Sequence, residues 1–203
     1  MVLLLVTGAG CAKADAPTYP VSTATPAPTP SSTPSPEPAK PMNTTEKTWT
    51  YQGVLPANQI TSKQARITTT YGDIVIELFD TTAPITVSNF VYLATGGFYD
   101  GLIFHRRESW VLQGGDPLGK GYGGPGYTIP DELKDSYGYE RGIVAMANKG
   151  KPTTGGSQFF IMVKDMPLDK AYSVFGKVIS GMDIVDKMKA GDTMERVVIE
   201  SKK

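Results

Sequence analysis

Phe104-His105-Arg106-Arg107-Glu108-Ser109-Trp110-Val111-Leu112-Gln113 sets one cation, Arg106, among aromatic and aliphatic side chains and ends on an amide. Gly114-Gly115-Asp116-Pro117 then reads as a turn that closes the segment. A strand core has no use for an arginine beside a tryptophan. A binding cleft with an apolar floor and one fixed donor does. A second stretch of the same character lies further on: Met146-Ala147-Asn148, then Gly155-Gly156-Ser157-Gln158-Phe159-Phe160-Ile161. An arginine keeps its charge at any working pH, so Arg106 suits a standing hydrogen-bond donor rather than a proton carrier.

Several other chemistries are short of residues. The chain of 203 residues has one Cys, Cys11, and one His, His105. An intrachain disulfide is impossible, and a Cys/His zinc site lacks ligands. A Ser-His-Asp triad could run only through His105, and no nucleophile-elbow motif accompanies it. His105 reads as a packed strand residue. Gly119-Lys120-Gly121-Tyr122-Gly123-Gly124 satisfies G-x-G-x-x-G, but Pro125-Gly126 follows where a dinucleotide site needs a helix. No cofactor or metal is expected, and the glycine-dense loop is read as turn-rich backbone near the cleft. Lys149-Gly150-Lys151 reads as a solvated loop tip. Lys+Arg and Asp+Glu are both 20, so the balance gives no support for a nucleic-acid partner.

The elements that must position these residues begin at Ala65. Ile67 to Thr70, a turn at Tyr71-Gly72-Asp73, and Ile74 to Phe79 read as a β-hairpin. Ala83-Pro84-Ile85 opens a helix with Thr82 as its N-cap; Val87, Phe90, Val91 and Ala94 give it one apolar face, and Gly96-Gly97 stops it. Short strands are expected at 102–105, 110–113, 127–129, 142–147, 158–163 and 173–179. A second helix follows over 181–189 and a closing strand over 196–200. Phe159 and Phe160 alternate faces, so one of them is core. Many short strands and two helices argue for a closed barrel rather than a βαβ sheet.

Upstream the composition changes. Met1 to Gly10 is a short apolar run ending in small residues before Cys11, which reads as the tail of a secretory signal in residues 1–11. It is too short for a spanning helix. The other reading is an unprocessed tail with a stray cysteine. Residues 12–48 form a Pro/Ser/Thr-rich linker with little apolar surface to bury, read as a disordered, semi-rigid stalk biased toward polyproline II. Residues 49–64 are a lead-in strand or loop in which Trp49, Tyr51, Val54, Leu55 and Ile60 could pack on the surface of the domain at 65–203.

With both stretches in view, the chain resembles the cyclophilin family of peptidyl-prolyl isomerases. The motifs are FHR, QGGDP, GYGGPGY, AMAN, GSQFFI and VFGKVI, in that order, over roughly 65 to 200. The resemblance implies a mainly β fold, a closed eight-stranded antiparallel β-barrel capped by two α-helices. It implies that Arg106 is the catalytic donor. Trp110, Val111, Phe160 and Leu168 would line the proline slot, with Phe160 rather than Phe159 chosen by the resemblance. Gln113 would orient Arg106 and touch the substrate backbone. Asn148 would hold the substrate through its main chain, with Ala147 beside it. Gln158 would border the pocket of the residue before proline. Tyr172 stands where many members carry His.

Two departures matter. Three residues separate Arg106 from the next aromatic, where the family usually has four, and that aromatic is Trp110 rather than Phe. Pro167 occupies the position where some members carry a drug-binding Trp, which implies weak affinity for cyclosporin. Ala9-Gly10-Cys11 resembles the lipobox of bacterial lipoproteins, in which the cysteine is lipidated. The expected protein is therefore a monomeric, extracytoplasmic, membrane-anchored isomerase, with Cys11 as the lipidation site. Its clients would be unfolded or partly folded Pro-containing exported polypeptides. The rival expectations are a non-catalytic module that binds Pro-containing segments and a scaffold lipoprotein. Turnover that depends on Arg106 separates the enzyme from both.

Overall fold

The structure is a computed structural model that describes residues 47–202. The apolar start, Cys11 and the Pro-rich stretch up to residue 46 lie outside the described residues.

Alternation along the strands decides what each face of the sheet covers. β1 (Lys63–Thr69) and β2 (Gly72–Leu78) form the first hairpin. Thr69 pairs with Gly72, so the turn is Thr70-Tyr71, one residue earlier than expected. The remaining strands are β3 (Arg106–Arg107), β4 (Val111–Gly114), β5 (Ile143–Met146), β6 (Phe159–Met162), β7 (Val174–Ser180) and β8 (Arg196–Ser201). They form one eight-stranded sheet in the order β3-β4-β6-β5-β7-β2-β1-β8, and every pairing is antiparallel.

One face of this sheet holds the larger core. Ile67, Ile74, Ile76, Val144, Phe159 and Ile161 pack there with α2 (Pro84–Thr95). Phe90 of α2 is the hub of that layer, fully buried and in ring contact with Tyr99, Phe159 and Phe175 at 5.0, 5.6 and 5.2 Å. Burying such a side chain is worth roughly 2–3 kcal/mol. The neighbouring residues point the other way. Val111, Ile143, Ala145, Phe160, Met162 and Val174 form a second, smaller cluster with Tyr139. Phe159 and Phe160 thus belong to different clusters, as period-2 alternation requires.

Five expectations need correction. The sheet curls but has two edges: β3 and β8 do not pair as strands. β3 is only two residues long, and the segments preceding β3 and β8 meet outside the named strands, with Ile103 opposite Thr193 and backbone bonds from Gly101 N to Met194 O, Met194 N to Leu102 O, Phe104 N to Asp192 O and Gly191 N to Phe104 O, each at 2.8 Å. Gly101 and Gly191, both at positive φ, turn the chain at this junction, and each donates its N–H across it. The strand expected at 102–105 therefore lies at Arg106–Arg107. The strand expected at 127–129 is reduced to one bridge, Ile129 to Gly155. Among the described residues three helices are present rather than two, because α1 (Ala57–Ile60) adds a single turn before the first strand, while α3 (Met182–Lys187) is the expected second helix.

The fifth correction is the start of α2. Its N-cap is Ala83, with no side-chain cap, and the Thr82 hydroxyl donates instead to the Phe79 carbonyl at 3.4 Å. The first-turn N–H groups of Ile85 and Thr86 donate to the carboxylate of Glu132 at 3.0 and 2.8 Å. A carboxylate at a helix N-terminus satisfies orphan donors and opposes the positive end of the macrodipole. Gly97 (φ 79) ends the helix, with Phe98 N–H donating to Leu93 O at 2.9 Å.

The lead-in segment docks on that helix end. Trp49 meets Tyr92 and Phe98 edge-on at 5.4 and 5.3 Å, with the Lys47 ammonium 4.2 Å from its ring centre. Leu55 N–H donates to Ser88 Oγ at 2.9 Å.

Candidate active site

The cleft is built on the second face of the sheet, where β3, β4, β6 and β5 run side by side. Register sets a row of opposite partners: Arg106 with Gln113, Gln113 with Phe160, and Phe160 with Ala145. Val111, two residues before Gln113, shares its face. A cation, an amide and an aromatic ring are thus held side by side by ladder geometry alone.

The shortened link between Arg106 and Trp110 keeps this register. Arg107 pairs with Leu112, and Glu108 N–H donates to Val111 O at 2.9 Å, leaving Ser109-Trp110 as a two-residue turn. The turn places the Trp110 ring 5.3 Å from the Arg106 guanidinium carbon, within cation–π range. The guanidinium is fixed from two further sides. Its Nε donates to Glu108 Oε1 at 2.7 Å and its Nη1 to Gln113 Oε1 at 3.2 Å. The Arg106 hydrogen bond holds the Glu108 carboxyl below the usual range. Gln113 Nε2 donates in turn to Gln158 Oε1 at 3.0 Å, and Gln158 Nε2 to Gly123 O at 2.9 Å. A relay of side-chain amides therefore runs from the cation to the glycine-rich loop.

A recess of about 150 Å³ opens beside Arg106. Trp110, Val111, Phe160, Leu168 and Tyr172 supply its apolar and aromatic wall, and Gln113, Ala147 and Asn148 its polar side. Its volume is about five times a water's share of the liquid, roughly 30 Å³, so the indole does not fill it. Tyr172 stands edge-on to Phe160 at 5.2 Å, and its backbone is pinned by the Tyr139 hydroxyl. Nine of the ten expected site residues surround this recess. The tenth, Gln158, lies instead on a larger cavity next to it.

That larger cavity, about 440 Å³, shares Gln113, Ala147 and Asn148 with the recess. Its far wall is the glycine-dense loop at 121–126 with Tyr122, Tyr127, Thr128, Lys149 and Thr154. The loop folds around one buried carboxylate. Asp116 accepts from Leu118 N at 2.8 Å and Lys120 N at 3.0 Å, and also from Gly121 N. Burial opposes charge on Asp116, but N–H donors from Leu118, Gly123, Gly121 and Lys120 outweigh it and hold the carboxyl below its ordinary value. Gly115 (φ 82) lets the chain turn there, and any Cβ on it would strike the Ser157 carbonyl.

Asn148 joins the two cavities. Its side-chain Nδ2 donates to Ala171 O at 2.8 Å and its Oδ1 accepts from Gly150 N at 3.0 Å. The side chain is occupied in tying two loops, which leaves the main chain of Asn148 to face a ligand.

His105 lies under the glycine-rich loop. Both ring nitrogens are buried without a partner among the described residues, and Gly121 is the nearest glycine above the ring. Burial pushes its pKa below the ordinary imidazole value; Asp116 opposes this and Arg106 reinforces it. Among the described residues no group of three or more His, Cys, Asp or Glu side chains could hold a metal ion.

Sequence reasoning missed three parts of the site. Glu108 braces Arg106, and the signal for it was a carboxylate two residues along a tight hairpin. Lys149, read as a solvated tip, lines the larger cavity. The Glu132 clamp on α2 has no local signal, because its partners lie more than 40 residues away.

Comparison with known proteins agrees with this geometry. Residues 64–202 match the family described as cyclophilin type peptidyl-prolyl cis-trans isomerase/CLD. A peptidyl-prolyl cis-trans isomerase of Helicobacter pylori is 49% identical over 142 residues, spanning 68% of this chain and 86% of that protein. Peptidyl-prolyl cis-trans isomerase B of Bacillus subtilis is 49% identical over 130 residues, 63% of this chain and 90% of that one. A Cryptosporidium parvum cyclophilin crystal structure is 37% identical with a TM-score of 0.64, covering 68% of this chain and 98% of its own. A second crystal structure of that protein, in the presence of the dipeptide Ala-Pro, has a TM-score of 0.62 at 36% identity, covering 68% of this chain and 99% of its own.

Proposed function

Because the chain belongs to the cyclophilin-type peptidyl-prolyl cis-trans isomerases, we propose that its cleft accelerates rotation about X–Pro bonds, with Arg106 as the donor that stabilises the twisted amide. Rotation is slow because amide resonance must be broken, a barrier of about 18–20 kcal/mol. No proton need move and no covalent bond need form. A catalyst has only to bind the twisted amide better than the planar one.

As the bond twists, the proline nitrogen regains a lone pair and becomes a better acceptor. A donor already fixed beside it stabilises that state and no other. The observation that carries this reading is the Arg106 guanidinium, braced by Glu108 and Gln113 at the rim of an apolar recess. Val111, Phe160, Leu168 and Trp110 take the proline ring. The main chain of Asn148, beside Ala147, holds the peptide, and Gln113 orients the cation. The residues before the proline run across Gln113 and Asn148 into the larger cavity, past Gln158.

The clients proposed are Pro-containing polypeptides exported in an unfolded state, where each non-native X–Pro isomer is a slow trap. The chain acts as a monomer held at a membrane surface by a lipid on Cys11, outside the cytoplasm. Among the described residues no helix is long and apolar enough to cross a membrane. Mass analysis of the mature N-terminus tests the anchor: an N-terminal lipidated Cys11 supports it, and an unmodified chain starting elsewhere removes it.

The isomerase reading is tested in a proline-limited refolding assay with wild type and Arg106→Ala side by side. Wild type should accelerate the slow phase, and Arg106→Ala should lose about 100-fold or more, the loss typical of removing one transition-state donor. Equal acceleration by both proteins removes Arg106 from its role. No acceleration by either leaves a module that binds Pro-containing segments without turning them over.

A further inference from the structure

The larger cavity is almost free of charge. Loop backbone, two tyrosines, threonines and amides form its wall, and among its lining residues Lys149 alone carries a charged side chain. Lys149 is exposed, and among the described residues no ion pair engages its ammonium. The nearby carboxylates each accept from backbone N–H groups. Asp116 is enclosed by N–H donors, and Asp131 accepts from Thr153 N at 2.7 Å.

The backbone that presents Lys149 is held in place. Lys149 N–H donates to Thr154 Oγ1 at 2.9 Å, and the Thr154 hydroxyl donates to Lys151 O at 2.7 Å. Gly150 N–H returns to Asn148 Oδ1 at 3.0 Å. The loop is therefore fixed to the same asparagine that joins the two cavities. Lys151 is exposed on the same tip and Lys120 on the opposite loop.

We propose that Lys149 is a specificity-determining residue that favours substrates with a carboxylate side chain, Asp or Glu, within the few residues before the isomerised proline. The inference rests on the isomerase reading, which places that segment in the larger cavity. The ammonium meets a partly desolvated carboxylate there, in a wall that offers no competing anion. A lysine also disfavours a cationic residue at the same place, which supplies the repulsive half of specificity.

The test uses matched X–Pro peptides with Glu, Gln or Lys two residues before the proline. Exchange rates and binding by NMR titration are both read, in low salt and in 0.5 M salt where the Debye length is only about 4 Å. Wild type should favour the Glu peptide over the Gln peptide about threefold in low salt, the range of a half-exposed ion pair. The Lys peptide should rank last, and high salt should level the series. In Lys149→Gln the Glu-to-Gln ratio should fall to one, and Lys149→Arg should keep it. Equal handling of Glu and Gln peptides by wild type, or a ratio that survives in Lys149→Gln, overturns the inference while turnover of the Gln peptide leaves the isomerase reading standing. Charge-dependent binding without turnover of any peptide upholds Lys149 and fails the isomerase reading instead.

Discussion

Arg106 and Gln113 stand directly opposite each other in the β3–β4 ladder, and the guanidinium Nη1 donates to Gln113 Oε1 at 3.2 Å. A flexible side chain with several rotatable bonds is thereby held in one place before any substrate arrives. On the proposed mechanism Gln113 is a positioning residue, and its amide also donates to Gln158. Gln113→Ala should lower kcat/KM about tenfold, since a hydrogen bond to a charged group is worth about 1.5–3 kcal/mol and Glu108 still holds Nε. The loss should fall mainly on kcat in peptide exchange, because a loosened donor weakens the twisted state more than the planar one. A change confined to KM would assign Gln113 to substrate binding alone.

The docking of Trp49 on α2 predicts that the lead-in segment belongs to the folded unit. Trp49→Ala removes two edge-on aromatic contacts and should cost about 2 kcal/mol, lowering Tm by roughly 4–8 °C for a domain of this size. Gly96→Ala should act the same way from the other partner, since a Cβ there would press against the indole. Thermal unfolding of both variants checks this. An unchanged Tm in both would show that the segment is not bound to the domain.

Burial of His105 predicts a stability slope on the acid side. In the folded chain its pKa is lowered from 6.5, mainly by desolvation, whereas the unfolded chain titrates near 6.5. As pH falls below about 6.5 the unfolded state takes up a proton that the folded state refuses, so stability drops. The contribution is whole above that pH and lost progressively down through the lowered folded value. Urea midpoints measured from pH 7.5 to 5 should therefore fall, and His105→Leu should flatten that part of the curve. The isomerisation rate at 6.5 to 9 should stay level, because the proposed reaction moves no proton.

Pro167 is exposed at the approach to the recess, two residues before Asp169. Cyclosporin should bind weakly to wild type, and Pro167→Trp should tighten it about tenfold or more by adding an aromatic anchor. Calorimetric titration of both proteins decides this. Tight binding by wild type would show that the position does not govern affinity for the drug.

Much of the cleft was legible because alternation along a strand is short-range information. Once Arg106 is placed on β3 and Gln113 on β4, the two-residue turn between them leaves little freedom. Phe159 and Phe160 illustrate both the reach and the limit of that logic. The pattern alone says they face opposite ways, and only the fold says which way is the cleft. Helix α2 was legible from its apolar spacing, but its cap was not, because Glu132 arrives from a distant loop. The expected strands at 102–105 and 127–129 failed for a related reason. Their residues have strand-like composition, yet each segment makes only one bridge, Ile103 to Thr193 and Ile129 to Gly155, beside glycines at positive φ that turn the chain, and composition does not report φ. Lys149 is exposed, as a basic loop tip should be, but such a tip looks the same whether or not a cavity lies beside it.

The two-residue turn at Ser109-Trp110 also indicates where this scaffold can change its chain length. Adding or deleting a residue inside β4 or β6 would exchange the two sides of the sheet, driving Gln113 or Phe160 inward and expelling Leu112 or Phe159. Both the catalyst and the hydrophobic interior would be lost together. Between the strands that penalty is absent, and there the spacing to the aromatic is one residue shorter than usual while Arg106 still meets Gln113. Length variants made at that turn should therefore remain folded and differ chiefly in the reach of the indole over the cation, whereas insertions one step further along should not fold.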